Sequence, residues 1–244
     1  MDQPSVFVAE VEAWALRLAG ETPDFLPQAV VGCGLSARLE EQVVGPSTEP
    51  IGSWTGGRIL VSERRLVFLS RPYGISALES SFPARVTRAI GLPRLLAVGC
   101  AVPVSGVARA AHCLVVCDHL NLRGENPLVG PNRDVWGVRF PDMSEPYDPE
   151  LRAAGIAAGA VEGILAESSD VPVAGCDADS RLLDANLARL AESLGADALG
   201  HGVVPLAIAS AHAGLAFGAV LDLRPDPKAA GFSFSRVLAA LLAR

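Results

Sequence analysis

The sequence predicts an α/β fold: one domain over residues 1–244, with a mixed, twisted central sheet flanked by helices on both faces. Three observations predict it. Short runs that are apolar throughout alternate with segments of helical period, the pattern of strands buried on both sides. Hydrophobic residues make up 50% of the chain and charged residues 19%, which supplies the apolar surface needed to offset the entropy of ordering. The length of 244 residues suits one domain better than two.

Each element has a local reason. Phe7, Val11, Trp14, Ala15 and Leu18 share one face of a helical wheel, with Gly20 as a stop. Residues 28–32 form a short apolar run ending in glycine, and with residues 34–39 read as a buried strand that opens through a tight turn into a helix. Residues 57–62 and 65–70 read as two strands around a Glu63-Arg64 turn. A helix over 82–90 precedes strands at 95–99 and 113–117. Residues 118–147 are rich in Pro, Gly and Asn and show neither period, so they read as a long functional loop. A helix over 149–166 and a strand at 171–175 follow. Asp179 or Ser180 can cap a helix over 181–194, whose Leu183, Leu187, Leu190 and Leu194 fall on one face. A strand near Ala198, a helix through Ile208, a strand at 215–221 and a helix at 234–243 complete the pattern.

Composition excludes several functions. The net charge is −7 and no basic stripe is visible, so a nucleic-acid partner is not expected. Residues 198–221 contain no Asp, Glu, Lys or Arg, yet Pro205, His201 and His212 interrupt them; strand, helix and strand fit better than a membrane span. The N-terminal residues carry early acids and no basic stretch, unlike an export signal. Cys33, Cys100, Cys113, Cys117 and Cys176 are scattered and form no CxxC, which fits reduced thiols in the cytoplasm. No metal-ligand spacing appears among the histidines and cysteines, and Gly32-Cys-Gly-Leu-Ser-Ala lacks the third glycine of a dinucleotide loop.

Residues 118–132 and 136–148 carry the order DH-NL, NPL-GPN, G-RFP-MS and YD. This segment closely resembles the matching part of the trimeric purine nucleoside phosphorylases. Gly32-Cys-Gly-Leu resembles that family's early phosphate loop, Arg71 stands where the family has its phosphate-binding arginine, and residues 194–200 with Val204-Pro205 resemble its late strand and turn. The resemblance implies a nucleoside phosphorylase-like fold and the cleavage of purine nucleosides to free base and ribose 1-phosphate. It also implies inorganic phosphate as co-substrate with no other cofactor, a role in purine salvage, and a homotrimer. Physically such a site must hold a phosphate dianion, stabilise charge developing on the purine, and sandwich base and sugar.

The residues that would do so depart from the family pattern. Cys33 replaces a serine, and a thiol donates a weaker hydrogen bond. Tyr73 replaces a histidine, and Cys100-Ala101-Val102-Pro103-Val104 replaces an Asn-Ala-Ala-Gly-Gly turn, with Pro103 removing an N–H donor. Gly202 replaces a serine. The base-reading glutamate falls at Leu183, with Asp184 adjacent, and the purine-edge asparagine falls near Asp222 to Arg224. His201 stands beside the ribose in place of an apolar residue. Trp136 keeps the aromatic that reaches onto a neighbour's purine. The resemblance thus nominates Asp222, Asp184 and His201 for catalysis, and Cys33, Arg71, Tyr73, Cys100, Ala101, Gly202 and Trp136 for substrate binding. Each also has a plainer reading: core packing for Cys33, Cys100 and Leu183, a surface ion pair for Arg71, and for His119 a bond holding the loop to itself. Two alternatives to phosphorolysis stay open: a catalytically silent ligand-binding or structural subunit, and a hydrolase that uses water.

Overall fold

The computed structural model describes residues 3–21, 29–33, 43, 49–62, 65–70, 76–162, 173–175, 185–223 and 237–241. Among them are ten strands joined in one sheet. Helix α1 (Gln3–Glu21) leads to β1 (Ala29–Cys33). Strands β2 (Glu49–Trp54), β3 (Gly57–Ser62) and β4 (Arg65–Ser70) form an antiparallel meander, and β4 then lies parallel to β1. Next come α2 (Ala77–Ser80), α3 (Phe82–Ala89), the ten-residue strand β5 (Arg94–Pro103) and α4 (Gly106–Ala110). Strands β6 (Cys113–Val115) and β7 (His119–Asn121) precede α5 (Pro149–Glu162). The chain closes with β8 (Val173–Gly175), α6 (Ala185–Ser193), β9 (Ala198–Gly200), α7 (Val203–Ala213), β10 (Ala216–Asp222) and a helical stretch at 237–241.

Strand β5 organises the sheet. Its first seven positions lie parallel to β10 and, in part, to β1 on the other side. Its last three pair antiparallel with β9, which leads through parallel pairs to β8 and β7. Strand β6 extends the other branch by pairing antiparallel with β10.

Alternation along the strands covers both faces. Ala29, Val31, Leu66, Phe68, Leu95, Ala97, Phe217 and Ala219 point into one cluster with Phe7, Val11, Phe82 and Leu206 from α1, α3 and α7. Val30, Val67, Leu69, Leu96, Val98 and Val220 point into the other, with Ala154 of α5 and Val237, Leu238 and Leu241. Because successive side chains oppose each other, a strand buried on both faces must be apolar at every position. That is why the runs were readable. On the α1 face, Phe82 stacks on Trp54 at 5.3 Å and meets Phe7 and Phe68 edge-on, each at 6.3 Å.

Several expectations need correction. Strand β2 was not foreseen; Pro50 and Gly52 break its pattern, and its register with β3 shifts between them. The 118–147 segment is not wholly irregular, since β7 and a 3₁₀ turn at Asp134–Trp136 lie within it. Residues 100–103 continue β5 where a turn was expected. On α6 the buried side is Ala191, with Leu187 and Ala188 packed beside it, whereas Leu190 and Leu194 are half exposed. Helix α2 begins at a capping box: Ser76 Oγ accepts from Glu79 N–H, and Glu79 Oε2 accepts from Ser76 N–H at 2.8 Å. Residues 198–221 do form strand, helix and strand, and among the described residues no helix is long and apolar enough to cross a membrane.

Phe82 is fully buried among three other aromatic rings, Phe7, Trp54 and Phe68. Phe82→Ala is expected to cost about 3–5 kcal/mol of stability, read as a lower denaturant midpoint with an unchanged slope.

Candidate functional site

The parallel register brings several nominated positions to one edge. Cys33, last in β1, pairs with Gly99 of β5 and with Ser70, last in β4. Gly99 also pairs with Leu221, and Cys100 with Asp222, last in β10. One residue further, Ala101 pairs with Gly200 at the end of β9, and His201 and Gly202 form the turn into α7. The carboxyl ends of β1, β4 and β10 therefore converge on one stretch of β5 beside the N-terminus of α7. In sheets of this kind ligands bind in the crevice beyond the strand ends. Gly202 takes a left-handed conformation, φ 75°, and supplies no side-chain cap. The first amides of α7 thus lack a capping oxygen from their own chain at that position, and such N–H groups favour anions.

Within this edge the side chains divide between faces. Asp222 follows Val220 and Cys100 follows Val98, so both lie on the α5 face of the sheet; Cys113, opposite Asp222 on β6, lies there too. The Asp222 side chain is buried, and its charge adds to burial in pushing the Cys113 thiol far up. Ala101 belongs to the opposite cluster, where α7 packs. His201 is half buried, and both its ring nitrogens are shielded from solvent. Arg71, Tyr73, Leu183 and Asp184 lie outside the described residues, and for Cys33 only the backbone is described.

Trp136 stands elsewhere. It lies near the C-terminus of α7, and eleven helical residues separate that end from the His201 turn by ~16 Å. There it is half buried, edge-on to Phe7 at 6.3 Å, with the guanidinium of Arg85 5.0 Å from its ring centre and that of Arg133 at 5.5 Å. Its position is held by a polar chain that the sequence reading missed. Arg85 Nη1 donates to His212 Nδ1, so His212 Nε2 carries the proton and donates to Asn132 Oδ1 at 3.0 Å. Asn132 in turn donates to Asp134 Oδ1 at 2.8 Å and to the Gly137 carbonyl at 3.2 Å. Burial, then Arg85 and Arg139, lower the His212 pKa to about 4. Arg85 is one of two arginines in α3 and His212 one of two histidines in the uncharged stretch, so neither stood out by itself.

His119 does bond the loop to itself: its Nδ1 lies 3.1 Å from the hydroxyl of buried Tyr147, which closes the segment. Arg139 adds a clasp by donating to the carbonyls of Leu128 and Gly130 at 3.1 and 2.7 Å.

A twisted mixed sheet with helices on both faces, and a crevice at the ends of its parallel strands, defines a class of α/β ligand-binding proteins. The family is narrower: the chain belongs to the phosphorylase superfamily, whose model matches residues 30–223. It is 32% identical to the mouse purine nucleoside phosphorylase over 220 residues, which cover 79% of this chain and 73% of that one. It is 31% identical to purine nucleoside phosphorylase 1 of Bacillus subtilis over 175 residues, 68% of this chain but only 59% of that protein's length. Its fold matches a schistosoma purine nucleoside phosphorylase solved in complex with hypoxanthine, with a TM-score of 0.73, 19% identity and 97% and 92% of the two chains covered. A second match, a purine nucleoside phosphorylase in complex with ribose-1-phosphate, has a TM-score of 0.76, 18% identity and 97% of each chain covered.

Two outcomes are expected. A Cβ on Gly137, whose φ is 148°, would sit 1.6 Å from the His212 carbonyl oxygen, so Gly137→Ala should lower stability by about 1–3 kcal/mol and alter Trp136 fluorescence. His212 is neutral in the fold and titrates near 4, against about 6.5 when unfolded. Between those values the unfolded chain binds more protons, so the contribution of His212 is complete above about pH 6.5 and declines as pH falls towards 4. Stability measured across that window should fall less steeply in His212→Gln.

Proposed function

We propose that this protein is a purine nucleoside phosphorylase: phosphate attacks the anomeric carbon of the ribose, the bond to the purine breaks, and free base and ribose 1-phosphate leave. The observation that carries this reading is the convergence of the ends of β1, β4 and β10 with the His201–Gly202 turn on one stretch of β5. Relatives named for this activity support it.

Within that reading the amides at the start of α7 and the backbone at Cys33 face the phosphate, with Arg71 as its guanidinium partner. His201 is the hydrogen-bond partner of the ribose. Tyr73, Cys100 and Ala101 complete the walls of the sugar and phosphate pocket, and Gly202 leaves room at its edge. Asp184 takes the role of the purine-reading carboxylate. Asp222, buried at the strand end beside Cys113, is the candidate for the purine-edge contact. Phosphate is the co-substrate and no other cofactor is needed. The protein serves purine salvage in the cytoplasm.

The reading extends to a homotrimer. Val129, Val135, Val138 and Phe140, around Trp136, are 63–86% exposed, an apolar patch on the segment that would reach a neighbour's purine. Trp136 is too far along α7 to serve the cleft of its own chain.

One observation favours a slower or silent protein. Residues 101–103 are paired in a ladder with β9, and Pro103 there has no N–H, so the amides a glycine turn would offer to phosphate are reduced. Loss of one such donor costs about 10²–10³ in rate in other enzymes.

Incubating the protein with inosine, guanosine or adenosine and phosphate should release base together with ribose 1-phosphate. Free ribose in its place identifies a hydrolase, and no turnover by folded protein that still binds nucleoside identifies a silent member. His201→Ala should lower kcat/KM for the nucleoside about 3- to 10-fold, the worth of one hydrogen bond, while leaving the KM for phosphate unchanged.

A further inference from the structure

A cavity of about 290 Å³ opens at the far end of α7 from the strand-end crevice, between α1, α3 and the loop before Trp136. Its walls are mostly apolar, formed by Phe7, Leu78, Leu128 and Trp136 among others, with Arg85 and His212 at the back. The size lies at the lower bound of ordinary small-molecule sites.

Arg85 is the unusual member. It is 3% exposed, and among the described residues no carboxylate approaches it. Its Nη1 is on His212, its face is on Trp136, and its Nε has no hydrogen-bond partner. Burial lowers its pKa to about 10, so it remains a cation near neutrality. A buried charge without a counter-ion is costly, and neither a neutral imidazole nor an indole ring neutralises it. Arg133, the second cation at the cavity, is already matched by Glu12 at 3.1 Å. Among the described residues the cavity thus offers one uncompensated positive charge, in a planar fork suited to a carboxylate, within a mostly apolar chamber.

We propose that this cavity is a binding site for a small organic monocarboxylate with an apolar body, its carboxylate on Arg85 and its body against Phe7, Leu128 and Trp136. One uncompensated charge fits a monoanion, and the apolar walls favour a hydrocarbon or aromatic body over a fully hydrated inorganic ion. Nothing in this assignment requires nucleoside cleavage at the strand ends.

The test titrates the whole protein with benzoate and with benzamide, its neutral counterpart, by calorimetry and by the indole N–H resonance of Trp136, assigned with Trp136→Phe. Benzoate should bind saturably, shift that resonance and bind at least about tenfold tighter than benzamide. In Arg85→Gln, whose amide can still donate to His212, the two should bind equally. Equal binding of benzoate and benzamide to the unaltered protein overturns the proposal without reference to any variant. Benzoate binding that leaves the Trp136 resonance unmoved overturns it too, as does displacement of benzoate by an equal concentration of inorganic phosphate.

Discussion

The molecule depends on one strand having two sets of partners. Strand β5 gives its first seven positions to β10 and shares them with β1, then passes its last three to β9. Both faces of its first part are buried, so it cannot slip by one residue without exchanging the side chains of two cores. That register brings the ends of three parallel strands beside the turn into α7. A crevice built this way needs no particular side chain to exist. It follows from hydrogen-bond pairing, which is why chains below 20% identity share the fold.

The second organising element is polar and buried. Arg85 of α3, His212 of α7 and Asn132 of the long loop form a bonded chain across three segments distant in sequence. Apolar packing alone would let such a loop settle in several ways. Directional bonds from a fixed helix end choose one, and hold the Trp136 ring beside two guanidinium groups. The Gly137 backbone lies directly against the His212 carbonyl, a closeness that only a residue without Cβ allows.

Much of this was readable from residue order, for physical reasons that differ by element. β1, β3, β4, β5 and β10 announced themselves because doubly buried strands leave no room for polar residues. β2 did not, since Pro50 and Gly52 interrupt its alternation and pairing across a turn rescues it. β7 is three residues long, too short for any period, whereas β8 and β9, equally short, were legible as the apolar run at 171–175 and the one near Ala198. On α6 the spacing of leucines caught only part of the buried side: Leu187 packs there with Ala188 and Ala191, whereas Leu190 and Leu194 are half exposed. The positions of His201 and Gly202 came from resemblance. Arg85 and His212 were passed over because a single charge gives no pattern, and only the folded chain shows that each is the other's partner.

The Cys113 thiol has a use that follows from where it lies. It has no exposed surface, and the neighbouring Asp222 reinforces burial in keeping it protonated. Thiolate is the nucleophile that attacks alkylating reagents, so this buried, protonated sulfur reacts when β6 separates from β10. Its rate of labelling is therefore a built-in clock for opening of that edge of the sheet, independent of any added dye.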